Sequence, residues 1–143
     1  MDTEVGLVSC TKSKHSEPAS PRDLYEPSAL FRKARAYCEA IHDEWFVISA
    51  KHGLLAPDGP PIEPYDETVT NAPIERRREW AQRVVTEMDE NGLLDPADTI
   101  VIHAGKAYYG ELLPLLGEHN VTVELPLEGL RYGERLRWYD EQQ

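Results

Sequence analysis

The sequence predicts one α/β domain over residues 1–143, built as three layers, α/β/α, around a mostly parallel sheet of four strands. Short apolar runs of strand length alternate with longer segments that carry apolar residues at helical spacing. This alternation is typical of β-α-β units, whose sheets are largely parallel and covered by helices. A chain of 143 residues with 41% hydrophobic content is sufficient for one core.

Four apolar runs are the predicted strands, at residues 5–9, 45–50, 99–103 and, more briefly, 121–123. The first three end in small or polar residues, as expected where a buried strand reaches the edge of its sheet. Connections between parallel strands are almost always right-handed, which favours a Rossmann-like arrangement. In such sheets ligands bind outside the carboxyl ends of the strands.

The predicted helices have recognisable beginnings and ends. Ser28 can cap the first helix, and Pro73 is suited to the start of the second. Gly92 is a favourable left-handed stop for that second helix. A third helix follows residue 105 and contains Pro114, which predicts a kink or a break. The last residues form a closing helix.

A long segment, residues 51–72, separates the second strand from the second helix. Its four prolines exclude regular helix and central strand. Loops of this length inside a compact domain are usually functional or disordered. Ordered-looking residues such as Ile62 and Tyr65 favour a functional loop.

The chain is strongly acidic, with a net charge of −11 from 26 acidic and 15 basic residues, of which five are lysine. Scattered acidic groups and few lysines are expected of a halophilic protein, because salt screens the repulsion between carboxylates. The alternative is an acidic surface that binds a partner. Either interpretation argues against non-specific DNA binding, although a local basic pocket remains compatible with it.

Other classes are excluded by what the sequence lacks. No apolar run is long enough to cross a membrane, and the N-terminus has no signal-peptide pattern. Cys10 and Cys38 have no paired spacing, so we expect no disulfide and a cytoplasmic location. The spacing of His15, His42 and His119 predicts no structural metal, and no motif indicates a cofactor.

The first polar segment follows the first predicted strand. Its hydroxyls, amides and lysines predict an anion-binding site, for which a solvated turn is the alternative. The candidate binding residues of this segment are Ser9, Cys10, Thr11, Lys12 and Lys14. Cys10 is either a nucleophile activated by the lysines or a small buried residue that ends the strand.

The second polar segment follows the second strand. Lys51 and His52 leave the strand at its carboxyl end, Gly53 permits a tight turn, and Asp66 follows Tyr65 in the long loop. A carboxylate beside histidine or lysine can act as general base, nucleophile or substrate orienter. The candidate catalytic residues are therefore Asp66, His52 and Lys51, with Gly53 and Tyr65 as candidate binding residues.

The third polar segment follows the third strand. Gly105 precedes a helix whose free amides can face an anion, and Tyr108 can stack on a base or pack in the core. Arg131 comes after the fourth strand and is predicted to reach the same site. The tail also holds Tyr132 and Trp138, which could form an interface in a homodimer.

The motifs, taken together, resemble a family known only as a domain of unknown function. More distantly, Ser9, Lys12, the Ser49-to-Leu55 segment and Pro64-Tyr65 are similar to motifs of the YaaA peroxide-stress proteins. The first-strand motif is also similar to a domain of archaeosine-type transfer-RNA modification enzymes. These resemblances imply handling of nucleic acids or nucleobases, on a fold reminiscent of uracil-DNA glycosylases. The chain lacks the helix-hairpin-helix segment and the Asp-Pro-Tyr-His motif of these relatives.

The sequence therefore leads to three hypotheses of function. The first is an enzyme that cleaves or exchanges an N-glycosidic bond in a nucleotide or nucleic-acid base, with lysines on the phosphate and Asp66 or His52 at the reacting centre. The second is a non-catalytic module that binds nucleic acid or a phosphorylated nucleoside. The third is a dimerising scaffold that uses Tyr132 and Trp138.

Overall fold

The computed structural model describes residues 3–143 and confirms the mixed α/β class. The sheet has five strands, so the prediction of four was wrong by one. The strands are β1 (Glu4–Ser9), β2 (Glu44–Ser49), β3 (Gly53–Leu55), β4 (Thr99–His103) and β5 (Thr122–Glu124). The helices are α1 (Pro21–Leu24), α2 (Ala29–Ile41), α3 (Ile74–Glu90), α4 (Lys106–Gly117) and α5 (Tyr132–Glu141). Met1 and Asp2, which belong to the segment tested for a signal peptide, lie outside the described residues.

The strand that sequence reasoning missed is β3, a short edge strand. It pairs antiparallel with β2, whereas β1, β2, β4 and β5 are mutually parallel in the order β3-β2-β1-β4-β5. Three residues are too few for a period of two to be recognised in a proline-rich segment. The Leu54 N–H donates to Glu87 Oε1 of α3 at 3.1 Å, a contact that only the tertiary structure provides.

The order in which the chain adds strands to the sheet reverses at β1: β2 is added on one side of β1, and β4 on the other. The connection from β1 to β2 carries α2, and the connection from β2 to β4 carries α3 in the opposite direction along the sheet. Right-handed crossovers therefore place α2 and α3 on opposite faces. Helix α2 packs with α5 and α3 packs with α4, so two helix pairs cover the sheet. The carboxyl ends of β1 and β4 lie side by side where the two halves diverge, which is where ligands are expected.

The predicted helix boundaries hold at Ser28 and at Gly92, whereas the predicted break at Pro114 does not occur. Ser28 caps α2, with its Oγ accepting from the Phe31 N–H at 3.2 Å. Gly92 follows α3 with a φ of +71°. Pro114 lies inside a single helix, α4, and does not divide it. None of the helices in residues 3–143 is long and apolar enough to cross a membrane.

A chain of buried and partly buried polar groups links α2 and α5 to the sheet. The Nδ1 atom of His42 lies 2.5 Å from Glu4 Oε1, and its Nε2 lies 2.8 Å from His103 Nε2. The Nδ1 atom of His103 lies 2.7 Å from the Tyr139 hydroxyl. Burial, together with His42, lowers the pKa of His103 to about 3, so this imidazole is neutral.

Gly6 of β1 provides the space for this chain, which leads to a prediction. A Cβ at Gly6 would lie 2.5 Å from His42 Cδ2 and 3.0 Å from Cys38 Sγ. We expect Gly6→Ala to lower the free energy of unfolding by about 1–3 kcal/mol, because a packed interior tolerates added atoms poorly. Urea denaturation measures the change.

Gly117→Ala is the matched control for this substitution. Nothing lies within 4 Å of a Cβ at Gly117, the last residue of α4. We expect unchanged or slightly higher stability there. Equal stabilities of the two variants would show that β1 and α2 can separate freely at Gly6.

Candidate active site at the strand ends

A cleft of about 490 Å³ opens at the carboxyl end of β1. We call it the strand-end cleft, and it is lined by Cys10, Thr11, Lys12, Lys14, Asp66, Glu67, Thr68, Thr70, Asn71 and Tyr108. Its volume falls within the range of small-molecule sites, about 300–1,000 Å³. Six of the predicted site residues, five of them binding residues and the sixth Asp66, are thus brought to one cavity.

The basic side of the cleft is formed by Lys12 and Lys14, as the lysine-rich motif predicted. Lys12 is exposed, and Lys14 is partly buried with its Nζ 4.5 Å from the centroid of the Tyr65 ring. Burial lowers the pKa of Lys14, an effect that the neighbouring Cys10, Asp66 and Glu67 oppose. The ammonium group is therefore held against an aromatic face beside the cavity.

The acidic side of the cleft comes from the long loop. Asp66 and Glu67 are both exposed and line the same cavity as the two lysines. The predicted meeting of Asp66 with Lys12 and Lys14 therefore occurs, across more than fifty residues of sequence. The polar residues that follow Asp66 also line the cleft but were not singled out from sequence, although their position beside Asp66 was a usable signal. They are Glu67, Thr68, Thr70 and Asn71.

Cys10 and Tyr108 form the inner end of the cleft. Cys10 is buried, its Sγ lies 3.4 Å from the Tyr108 hydroxyl, and the Ala50 N–H donates to this sulfur at 3.3 Å. Tyr108 packs edge-on against Trp80, with ring centroids 5.4 Å apart. Of the two alternatives for Cys10, the small buried residue that ends the strand describes its position. Tyr109 is also buried and does not line the cleft, so it belongs to the core.

Tyr65 anchors the long loop and does not line the cleft. Its hydroxyl lies 2.6 Å from Ser49 Oγ and 2.5 Å from the Tyr25 hydroxyl. Ser49 Oγ accepts from the N–H groups of Lys51 and His52 at 3.2 and 3.0 Å, so its own proton is free to donate to Tyr65. Burial raises the pKa of Tyr65, which keeps the phenol neutral. This hydroxyl chain holds the residue that precedes Asp66.

Lys51 and His52 lie in the turn between β2 and β3, and Gly53 is the first residue of β3. Arg83 of α3 donates to the carbonyl oxygens of Lys51 and His52, both at 2.9 Å. Gly53 has a φ of +72°, and a Cβ there would lie 2.2 Å from Glu87 Oε1. None of the three residues lines the cleft. The structure thus gives Gly53 a backbone role and leaves Lys51 and His52 beside the cavity rather than in it.

A second, wider cavity adjoins the cleft and shares several of its walls. We call it the crevice; it has a volume of about 680 Å³ and extends between β1 and β4. Ser9, Gly105, Lys106 and Arg135 line it, together with the first turn of α2. At the beginning of α4 the Tyr108 and Tyr109 N–H groups donate to the Gly105 carbonyl oxygen at 3.0 and 3.1 Å, so the amides that remain for an anion are those that precede Tyr108.

Arg135, rather than Arg131, reaches this crevice. Arg131 is exposed at the beginning of α5, where its N–H donates to Glu134 Oε1 at 2.9 Å. A Cβ at Gly105 would lie 3.5 Å from the guanidinium nitrogens of Arg135. Arg131 was predicted to reach the site because it follows the last predicted strand, now β5, in the sequence. One further helical turn brings Arg135 to the cavity, and this offset depends on how α5 docks.

The comparisons with known proteins agree with the motif pattern. A family model described as "Family of unknown function (DUF6884)" matches residues 5–141. The chain belongs to this family. An uncharacterized protein of Bacillus subtilis (strain 168), YfjM, is 29% identical over 131 residues, which cover 87% of this chain and 84% of the relative. No solved structure matches.

Membership of the DUF6884 family confirms the predicted resemblance to a family of unknown function. The match spans the cleft, the crevice and all five strands except Glu4. The family description carries no activity, so the chemistry of the site has to be argued from its geometry.

The hydroxyl chain of Tyr65 leads to a second prediction. Tyr65→Phe removes the group between Ser49 and Tyr25, and we expect it to lower the free energy of unfolding by about 1–3 kcal/mol. Because the same contact holds the loop, limited proteolysis should cut residues 56–72 faster in this variant. Tyr132→Phe is the control, since the Tyr132 side chain is largely exposed. Equal cleavage rates would contradict an anchoring role for Tyr65.

Proposed function

We propose that this protein binds a phosphorylated nucleoside, free or within a nucleic acid, and cleaves or exchanges its N-glycosidic bond. The observation that carries the proposal is the composition of the strand-end cleft, where Lys12 and Lys14 share one cavity with Asp66. Cations suited to phosphate and a carboxylate suited to a reacting sugar are thereby presented to one ligand.

Phosphate binding is supported by a concentration of positive charge that contrasts with the rest of the molecule. Three of the five lysines, Lys12, Lys14 and Lys106, line the cleft or the crevice, and Arg135 joins them. In a chain with a net charge of −11, this local excess is unlike the average surface. The beginning of α4 adds free amides on the same side.

In the proposed hydrolysis, Asp66 acts as general base. Its carboxylate takes a proton from water, and the water oxygen forms a bond to the anomeric carbon of the sugar. The bond from that carbon to the base nitrogen breaks, its electron pair goes to the nitrogen, and the departing base takes a proton from solvent. In an exchange reaction, a second base replaces water. Lys12 and Lys14 orient the phosphate and thereby the sugar.

The nucleobase part of the proposal is supported by motif resemblance. The similarity of the first-strand motif to YaaA proteins and to archaeosine-type enzymes is the argument for a nucleobase over another phosphorylated compound. A halophilic source and a cytoplasmic location, proposed from the acidic composition and the cysteine usage, fit a nucleotide-binding protein that works in high salt.

A non-catalytic binding module is the second candidate. It is favoured by the exposure of Asp66 and Glu67, since a carboxylate open to water is less activated than one in a desolvated pocket. On this alternative the loop recognises its ligand without turnover. The dimerising scaffold has less support, because its exposed aromatic residue, Tyr132, lines the crevice.

Ligand-dependent thermal unfolding tests the binding step. At a hundred times its dissociation constant, a ligand adds about 2.7 kcal/mol to stability. We expect a clear rise in Tm with phosphorylated nucleosides, a smaller rise with unphosphorylated ones, and no rise in Lys12→Ala/Lys14→Ala. Measurements at low and high salt also show whether salt raises the stability of the unliganded protein, as expected of a halophilic chain.

Arg78→Ala/Arg137→Ala is the charge-matched control, since it removes two exposed cations that do not line either cavity. It should retain the response to the ligand. If both double variants lost the response equally, the effect would come from net charge and the cleft would not be the site.

Release of free base distinguishes the two candidate functions. We expect Asp66→Asn to reduce turnover by at least a hundredfold while the ligand still raises Tm, because the amide keeps the shape and loses the base. Chromatography of the products measures the release. Binding by the native protein without any release of base would favour the non-catalytic module.

A further inference from the structure

Three potential metal ligands meet on the face of the sheet that α2 covers. Cys38 lies in the last turn of α2, His42 immediately follows that helix, and His103 ends β4. One ligand atom from each residue lies within 4.8 Å of the others. The Cys38 and His103 residues are 0% and 2% exposed, and the His42 side chain is 2% exposed.

Each histidine has its second ring nitrogen engaged by an outer partner. Glu4 Oε1 lies against His42 Nδ1 at 2.5 Å, and the Tyr139 hydroxyl lies against His103 Nδ1 at 2.7 Å. Metal-binding histidines characteristically make such contacts, which orient the ring and select the tautomer that leaves Nε2 unprotonated. Here the contacts direct both Nε2 atoms toward each other.

The facing Nε2 atoms, 2.8 Å apart, must have either a hydrogen-bonding proton or a metal ion between them. When a proton lies between the two Nε2 atoms, His103 Nε2–H donates to His42 Nε2, and the Tyr139 hydroxyl donates to His103 Nδ1. When Glu4 and Tyr139 both accept from Nδ1 protons, each Nε2 carries a lone pair, and a cation must separate them. Cys38 lies beside the same gap. A proton shared by two imidazoles does not need a nearby sulfur atom, whereas a metal ion would use this sulfur as a third ligand.

We propose that Cys38, His42 and His103 form a zinc(II) site. Two imidazoles and one thiolate are the borderline-soft donors that zinc prefers, and a water molecule or another small ligand completes four coordination. Zinc–nitrogen bonds of about 2.0–2.1 Å require the Nε2 atoms to separate by roughly half an ångström from their present contact. The site joins α2 to β4 and, through Tyr139, to α5.

This site is separate from the reaction proposed for the strand-end cleft, since none of its ligands lines that cleft. The sequence predicted no metal because only the histidines were compared, and the partner of His42 is 61 residues away in β4. Gly6 leaves the imidazole of His42 room against the backbone of β1. Zinc would therefore stabilise the face of the sheet opposite α3.

Cobalt(II) and zinc(II) titration of chelator-treated protein tests the proposal. We expect one equivalent of cobalt(II) to produce the visible bands of a four-coordinate site together with a near-ultraviolet thiolate charge-transfer band. Zinc(II) should abolish both spectra and raise Tm, and magnesium should do neither. The absence of a thiolate band, or a Tm unchanged by chelator and lowered by zinc, would overturn the proposal in favour of a simple hydrogen-bonded chain.

Two variants and a control separate the site from adventitious binding. Cys38→Ala should lose the thiolate band, and Glu4→Gln should weaken zinc binding by about 10–100-fold, because the outer partner tunes the ligand. His15→Gln, an exposed histidine outside the site, should titrate like the native protein. If Cys38→Ala fails to fold, the native thiolate band and Glu4→Gln still decide. A Glu4→Gln titration identical to the native one would contradict the assignment.

Discussion

The hydroxyl chain from Ser49 through Tyr65 to Tyr25 is the constraint on which the candidate site depends. Ser49 ends β2 and receives two backbone N–H groups from the following turn, so its hydroxyl proton points to Tyr65. Tyr65 in turn fixes the residue before Asp66. A buried hydroxyl must find a partner or lose about 1–3 kcal/mol, so the phenol has one position in which all three hydroxyls are satisfied. The long loop is held there although it contains little regular structure.

The sheet supplies the second half of the site. Right-handed crossovers on either side of β1 send α2 and α4 to opposite faces, which leaves the ends of β1 and β4 open between them. The lysines of the first loop and the beginning of α4 meet at this opening. In a chain with a net charge of −11, this group of cations contrasts with the average composition of the molecule.

Much of the fold was predictable because its signals are local. The strand 99–103 and the caps at Ser28 and Gly92 each depend on a few neighbouring residues, and each was confirmed. The short strand β3 was missed because its pairing to β2 and its contact with Glu87 are not local. Within the site, Lys12, Lys14, Asp66 and Tyr108 were predicted to share a cavity, but Lys51 and His52 form a turn held by Arg83.

The amino-acid sequence by itself determined the α/β class, the order of the principal elements and the polar segments that follow the strands. These properties depend on periodicity and on residue types, which can be recognised in the sequence without knowing how distant elements pack. The tertiary structure decided that Tyr65 anchors the loop that carries Asp66 without lining the cleft. It also decided that Arg135 reaches the crevice in place of Arg131, and that His42 faces His103. Such contacts depend on the docking of elements far apart in sequence, because a rotation of one helix by a single turn changes which side chain reaches its neighbour.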